Sequence, residues 1–350
     1  MSPGQRTLCR LHLFGPISLD ASCRAYVFLE ESEPMTQRKT IFMYPGQGCQ
    51  YFHMCKTLFV HDPVFRDSLK RLDLWVTAEI GGSIIEYVFN DQVSALIPFD
   101  TTLYSNQAVF CFEYALTQSL LSRGIYPDVL LGASLGEVVC AAVSGALSPR
   151  ECIDLLAFSS RVLARTCERG GMLSVFAPPA LFDEDRLLHE NCEMASVSFD
   201  RHFVIAGKST SIERVEAYLK AGNHITSRLP VEYGFHSSAI DPARSALREH
   251  YGNSAPGHPL VPVFSCQKKA IIRTYEADHF DAVLREPIHF KETLAILEQE
   301  GPNLYVDVSP SGTLSTYCKY ILDPGSASRT VPVYTPFSKH RTLDPALWLL

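Results

Sequence analysis

The segment that most constrains this chain is Gly132-Ala133-Ser134-Leu135-Gly136, set between an apolar run, Asp128-Val129-Leu130-Leu131, and a stretch of small and apolar residues from Glu137 to Gly145. The run reads as a strand and the stretch as a buried helix. Gly-x-Ser-x-Gly at such a junction is the nucleophile-elbow pattern. The turn is sharp, so side chains at the glycine positions would strike the strand or the helix. It exposes the serine hydroxyl at a helix N-terminus, where backbone N–H groups and the helix dipole stabilise an oxyanion. The bare pentapeptide also fits a plain strand-to-helix turn with a capping serine. The strand before it and the small-residue helix after it favour a nucleophile.

The rest of the chain alternates strand and helix around this point. Thr40 to Tyr44 is a β-rich run that stops at Pro45-Gly46. Ala108 to Arg123 reads as a helix ending near Gly124, and Ser148-Pro149-Arg150-Glu151 is a capping box that opens a helix running to Thr166. Between 168 and 231 the rhythm changes. Strands are expected at Met172–Ala177, Glu193–Ser198, His202–Ala206 and His224–Val231. Helices are expected at Pro179–Glu190 and at Thr210–Ala221, the second with a Thr210/Glu213 capping box. The order β-α-β-β-α-β is that of a ferredoxin-like sub-domain. The predicted organisation is an N-terminal extension over 1–34 outside the core, a large domain over 35–167 and 232–350, and an inserted small sub-domain over 168–231. Leu304 to Val308 is a further core strand of the large domain.

With 350 residues, 46% of them hydrophobic, the chain can bury a large core. Its net charge of −7, without a basic cluster, argues against nucleic-acid binding. No apolar run reaches membrane-spanning length, so no membrane association is expected. The 11 cysteines show neither C-x-x-C pairs nor zinc-like Cys/His clusters, so they read as buried thiols in a reducing cytoplasm and imply no metal. Gly207-Lys208-Ser209-Thr210 looks like the end of a phosphate-binding loop, but His202 stands where that loop requires glycine.

A serine nucleophile needs a base. Of the 12 histidines, His236 is the candidate, because Tyr233-Gly234-Phe235-His236-Ser237-Ser238 forms a turn where the chain rejoins the large domain.

Together these landmarks resemble the malonyl-CoA:acyl-carrier-protein transacylase family, which includes the acyltransferase domains of fatty acid and polyketide synthases. The ordered motifs are Pro45 to Gln50, Gly132 to Glu137, Ala141 to Leu147, Phe235-His236-Ser237, Glu286-Pro287-Ile288 and Val306 to Pro310, and the resemblance covers residues 38–340. It implies an α/β-hydrolase-like large domain with a parallel-sheet core and an inserted ferredoxin-like domain. It implies Ser134 as nucleophile, His236 as base, and Gln47 with the Leu135 backbone N–H as the oxyanion hole. A backbone carbonyl near Val283 would orient the histidine. No cofactor is implied. The implied partners are an acyl carrier protein, with its phosphopantetheine thioester, and acyl-CoA, and a monomer is expected.

Two positions depart from the family. Ala133 replaces the usual elbow histidine. Ser159 stands where malonyl-type members carry an arginine for the substrate carboxylate. A hydroxyl cannot replace a bidentate arginine in a dry pocket, and Arg161 and Arg165 point to other faces of the helix. Ser159, Ala133 and Phe235 are therefore assigned to a substrate pocket that prefers neutral acyl groups, although Phe235-His236-Ser237 itself matches malonyl-type members. The elbow Gly-Ala-Ser and the missing arginine are similar to the discrete acyl hydrolases of trans-acyltransferase polyketide pathways. Hydrolysis of acyl-carrier-protein thioesters is thus the leading expectation, and transfer of an acyl group to a carrier protein is the alternative. A catalytically silent docking protein, and an ordinary esterase with a triad aspartate such as Asp154 or Asp200, complete the set.

Overall fold

The computed structural model describes residues 38–252, 256–338 and 343. The extension expected over 1–34 lies outside the described residues. The described residues form one compact unit.

The main sheet has six strands: β1 (Lys39–Tyr44), β2 (Val129–Gly132), β7 (Val263–Ser265), β8 (Ala270–Ile272), β9 (Asn303–Asp307) and β10 (Arg329–Pro332). Their order is β10-β9-β1-β2-β7-β8, parallel except for the β7–β8 hairpin at one edge. Both faces are covered, and the alternation of β1 shows how. Ile41 and Met43 join Leu131, Phe264 and Tyr305 in one cluster, which packs under the helices Phe290–Gln299 and Thr313–Ile321. Phe42 and Tyr44 face the opposite cluster, formed with the helices Pro63–Ile80, Thr102–Leu121, Gly136–Val143 and Pro149–Thr166. A parallel sheet with helices on both faces makes its central strands apolar throughout.

The second sheet contains β3 (Gly170–Val175), β4 (Glu193–Phe199), β5 (His202–Lys208) and β6 (Thr226–Arg228). Its order is β4-β5-β3-β6, with every pairing antiparallel. With the intervening helices this is the ferredoxin-like arrangement read from the sequence. It has its own core, in which Leu173, Phe203 and Ile205 meet Ile212, Val215 and Leu219 of the helix Ser209–Ala221.

Several local expectations change. The helix expected over 179–190 breaks into Ala180–Glu184 and Arg186–His189, because Asp185 is extended and caps the second piece through Leu187 N. The helix expected from Thr210 begins at Ser209 and lacks a side-chain cap, since β5 runs on to Lys208 and leaves no free turn for a Thr210/Glu213 box. The strand expected over 224–231 shortens to Thr226–Arg228, and the helix expected at Ala108 starts six residues earlier, at Thr102. The Ser148 capping box is present: Ser148 Oγ accepts from Glu151 N at 3.2 Å, and Ser148 N donates to Glu151 Oε2 at 2.7 Å. Nine cysteines among the described residues are free, and no helix among them is long and apolar enough to cross a membrane.

Candidate active site

β2 ends at Gly132, and the helix starting at Gly136 turns back over it. The glycines are steric requirements. A Cβ at Gly136 would lie 1.9 Å from the Tyr44 carbonyl oxygen, and one at Gly132 would lie 2.7 Å from Glu137 Cα. The turn drives Ser134 into the left-handed region, with φ of 56°, where an L residue other than glycine is strained. The loop after β1 closes on the serine, so that a Cβ at Gly46 would meet Ser134 Cβ at 2.7 Å.

His236 approaches from the segment that follows the small sheet. Its Nε2 is 2.9 Å from Ser134 Oγ, and its Nδ1 is 2.8 Å from the Glu286 carbonyl oxygen. A carbonyl only accepts, so Nδ1 carries the proton and Nε2 is left to accept from the serine hydroxyl. The His236 main-chain N–H also donates to Leu284 O at 2.9 Å. Its φ is 61°, so both members of the pair are left-handed. The orienting carbonyl is therefore that of Glu286, beyond the Val283 expected from sequence. The reason is that Leu284 O is already used by the His236 main chain, and the chain has left the helix His279–Arg285 by Glu286. His236 is buried. Burial depresses its pKa from 6.5 to about 4; the Glu286 bond opposes the shift and the nearby Arg285 charge adds to it.

Neither candidate aspartate reaches this histidine. Asp200 pairs with Lys291 Nζ at 2.5 Å on the surface, and Asp154 lies among Glu79, Arg150 and Glu151. The structure shows a two-residue pair oriented by a carbonyl, which removes the esterase expectation of a triad.

The Gln47 side chain is turned aside, its Nε2 donating to Ser105 Oγ at 2.8 Å. What Gln47 can offer the serine is its main-chain N–H. Among the described residues, neither that amide nor the Leu135 amide donates to a protein acceptor. Both residues line the same cavity as Ser134 and His236. Two free N–H groups beside a nucleophile can stabilise an oxyanion.

The cavity has a volume of about 250 Å³ and lies between the two sheets. Ala133, Ser159 and Phe235 line it as expected from sequence. Among the described residues its lining holds no lysine, arginine, aspartate or glutamate. Ser159 is buried, donates to Leu155 O at 2.6 Å and sits 2.6 Å from the Tyr251 hydroxyl. Arg161 is turned away, bound to Glu79 Oε1 at 2.5 Å and to the Glu79 carbonyl, and Arg165 is exposed. Neither supplies a cation to the cavity. Tyr251 was missed by sequence reading: it lies on the helix Arg244–Gly252, and nothing in the pattern of that helix connects it with Ser159.

Known proteins resemble this chain closely. Residues 41–341 match the acyl transferase domain family. The polyketide biosynthesis acyltransferase homolog BaeD of Bacillus velezensis is 38% identical over 86% of this chain and 93% of its own length. The homolog PksD of Bacillus subtilis is 36% identical over 85% and 92%. Among solved structures, the acyltransferase domain from the second module of the salinomycin polyketide synthase superposes with a TM-score of 0.74 at 27% identity, covering 90% of this chain and 72% of that one. MCAT from Streptococcus pneumoniae superposes with a TM-score of 0.70 at 23% identity, covering 85% and 96%, a likeness of fold.

Proposed function

The chain belongs to the acyl transferase domain family, and on that premise we propose that it hydrolyses neutral acyl thioesters of an acyl carrier protein through an acyl-Ser134 intermediate. The observation that carries this reading is the Ser159–Tyr251 pair in a cavity that, among the described residues, is lined by no lysine or arginine. A malonyl carboxylate placed there would be buried without a counter-charge, at a cost of several kcal/mol. Loading malonyl units is therefore disfavoured, and removing uncharged acyl groups fits.

In the proposed sequence, Ser134 Oγ attacks the thioester carbonyl while its proton passes to His236 Nε2. The Leu135 and Gln47 main-chain N–H groups hold the oxyanion. Collapse breaks the C–S bond, and the imidazolium returns its proton to the departing sulfur. A water then attacks the acyl-serine ester with His236 again taking the proton, which releases the acid and restores Ser134. The hydrolytic pathway and the carrier thioester are both part of the proposal.

Transfer to a second thiol uses the same steps with sulfur in place of water. The names of the two Bacillus relatives, both acyltransferase homologs, favour keeping it as the second reading. The two readings separate when the protein is mixed with acetyl-loaded carrier protein and intact masses are followed. Loss of acetyl to free acetate supports hydrolysis. Movement of acetyl onto a second, unloaded carrier protein without release supports transfer, and a malonyl adduct formed readily from malonyl-CoA refutes the neutral-acyl assignment. Ser134→Ala should abolish the adduct and lower turnover on the order of a thousandfold.

A further inference from the structure

Ser159 and Tyr251 do more than occupy the place of an absent cation, because the direction of their hydrogen bonds is fixed. Leu155 O is a helix carbonyl and only accepts, so the Ser159 proton is committed to it at 2.6 Å. Tyr251 Oη lies 2.6 Å from Ser159 Oγ. With the serine proton already placed, that contact is a hydrogen bond only if the phenol donates; otherwise two oxygens would face each other lone pair to lone pair. Burial pushes the Tyr251 phenol well above its ordinary pKa, which keeps the donating proton in place. The chain of protons therefore runs Tyr251 to Ser159 to Leu155, so neither hydroxyl proton is free for a ligand. Both residues line that cavity, and what their hydroxyl oxygens have left to offer is lone pairs.

We infer that Ser159 and Tyr251 form an acceptor subsite for a hydroxyl carried on the acyl chain. A carboxylate brings only lone pairs to this place and is repelled. An alkyl chain leaves the two acceptors unmatched. An amide brings a donor together with a carbonyl oxygen that meets the same lone pairs. A hydroxyl donates to the pair and turns its own lone pairs aside. The inference rests on the proposed acylation of Ser134 and adds the chemistry of the chain that Ser134 receives.

The test compares hydrolysis of the pantetheine thioesters of butyrate, 3-hydroxybutyrate and 4-hydroxybutyrate, which differ only in the presence and position of the hydroxyl. With the unaltered protein, one hydroxylated ester is expected to exceed butyryl in kcat/KM by about fivefold, the scale of one net neutral hydrogen bond. In the variant carrying Ser159→Ala and Tyr251→Phe that ratio should fall to about one, whatever happens to the butyryl rate itself. In the milder Tyr251→Phe variant, which keeps the serine acceptor, the ratio should fall about twofold. Butyryl turnover with no preference for either hydroxylated ester, or a preference that survives both variants, overturns the subsite and leaves the thioesterase reading standing. Failure of all three esters to acylate Ser134 in the unaltered protein overturns both.

Discussion

At the scale of single residues, the proposed base, His236, is a neutral imidazole held by one carbonyl. The depressed pKa of His236, about 4, sets the pH dependence. Only the neutral ring can accept the Ser134 proton, and lowering the pKa extends the neutral form downward in pH. The acylation rate should therefore stay level from pH 8 to about 5 and fall as pH drops through about 4. A stopped-flow profile of adduct formation checks this, and a midpoint near the ordinary histidine value of 6.5 would refute it. The candidate residues were largely legible at this scale. Ser134 announced itself through two glycines that sterics require, and His236 through its place at the return from the small sheet. The Glu286 carbonyl was not legible, because a main-chain oxygen has no side-chain signature and any residue type can supply it.

At the scale of elements, the helix Pro149–Thr166 carries Ser159, the proposed specificity position, and the helix Arg244–Gly252 packs Tyr251 against it. Restoring an arginine to the first helix alone should fail, since its side chain would need the space the phenol fills, and overpacking of this kind costs about 1–3 kcal/mol. Ser159→Arg is expected to give no malonyl adduct on Ser134, and Ser159→Arg with Tyr251→Ala is expected to give one, read by intact mass after exposure to malonyl-CoA. A malonyl adduct in the single variant would show that Tyr251 does not seal the position. The second helix also marks where sequence reasoning stopped. Ser159 and Tyr251 are 92 residues apart and meet through tertiary packing alone. The helix Thr102–Leu121 was read short for a related reason. Ser105, Asn106 and Gln107 near its start are buried polar residues with partners on other segments, so the apolar pattern began too late. The helix expected over 179–190 is interrupted because Asp185 is extended and its side chain starts a second helix, which a single polar residue inside a helical pattern does not reveal.

At the scale of the whole molecule, the site is assembled from parts that fold around different cores, and Gln50 ties them together. Its Oε1 accepts from Gly48 N at 2.7 Å, and its Nε2 donates to Phe99 O at 2.8 Å and to Pro230 O at 3.0 Å. One carboxamide thus joins the loop beside Ser134, the segment before the helix Thr102–Leu121 and the chain returning from β6. Gln50→Leu leaves those main-chain groups without their partners and should lower unfolding stability by about 2–3 kcal/mol, read as a reduced denaturant midpoint; an unchanged midpoint would show that the tie is slack. The left-handed backbone at Ser134 has a consequence for the molecule's resilience. A residue with a Cβ sits there under protest, and only the surrounding fold compels it. Replacement by glycine relaxes the turn, whereas alanine keeps the strain. Ser134→Gly should therefore be about 1 kcal/mol more stable than Ser134→Ala, with the gain reduced by the looser unfolded chain. Under the proposed mechanism both variants lack the nucleophile, so the comparison isolates what that chemistry asks of the fold: this protein stays somewhat less durable than its own sequence permits, and the shortfall is located at the proposed nucleophile.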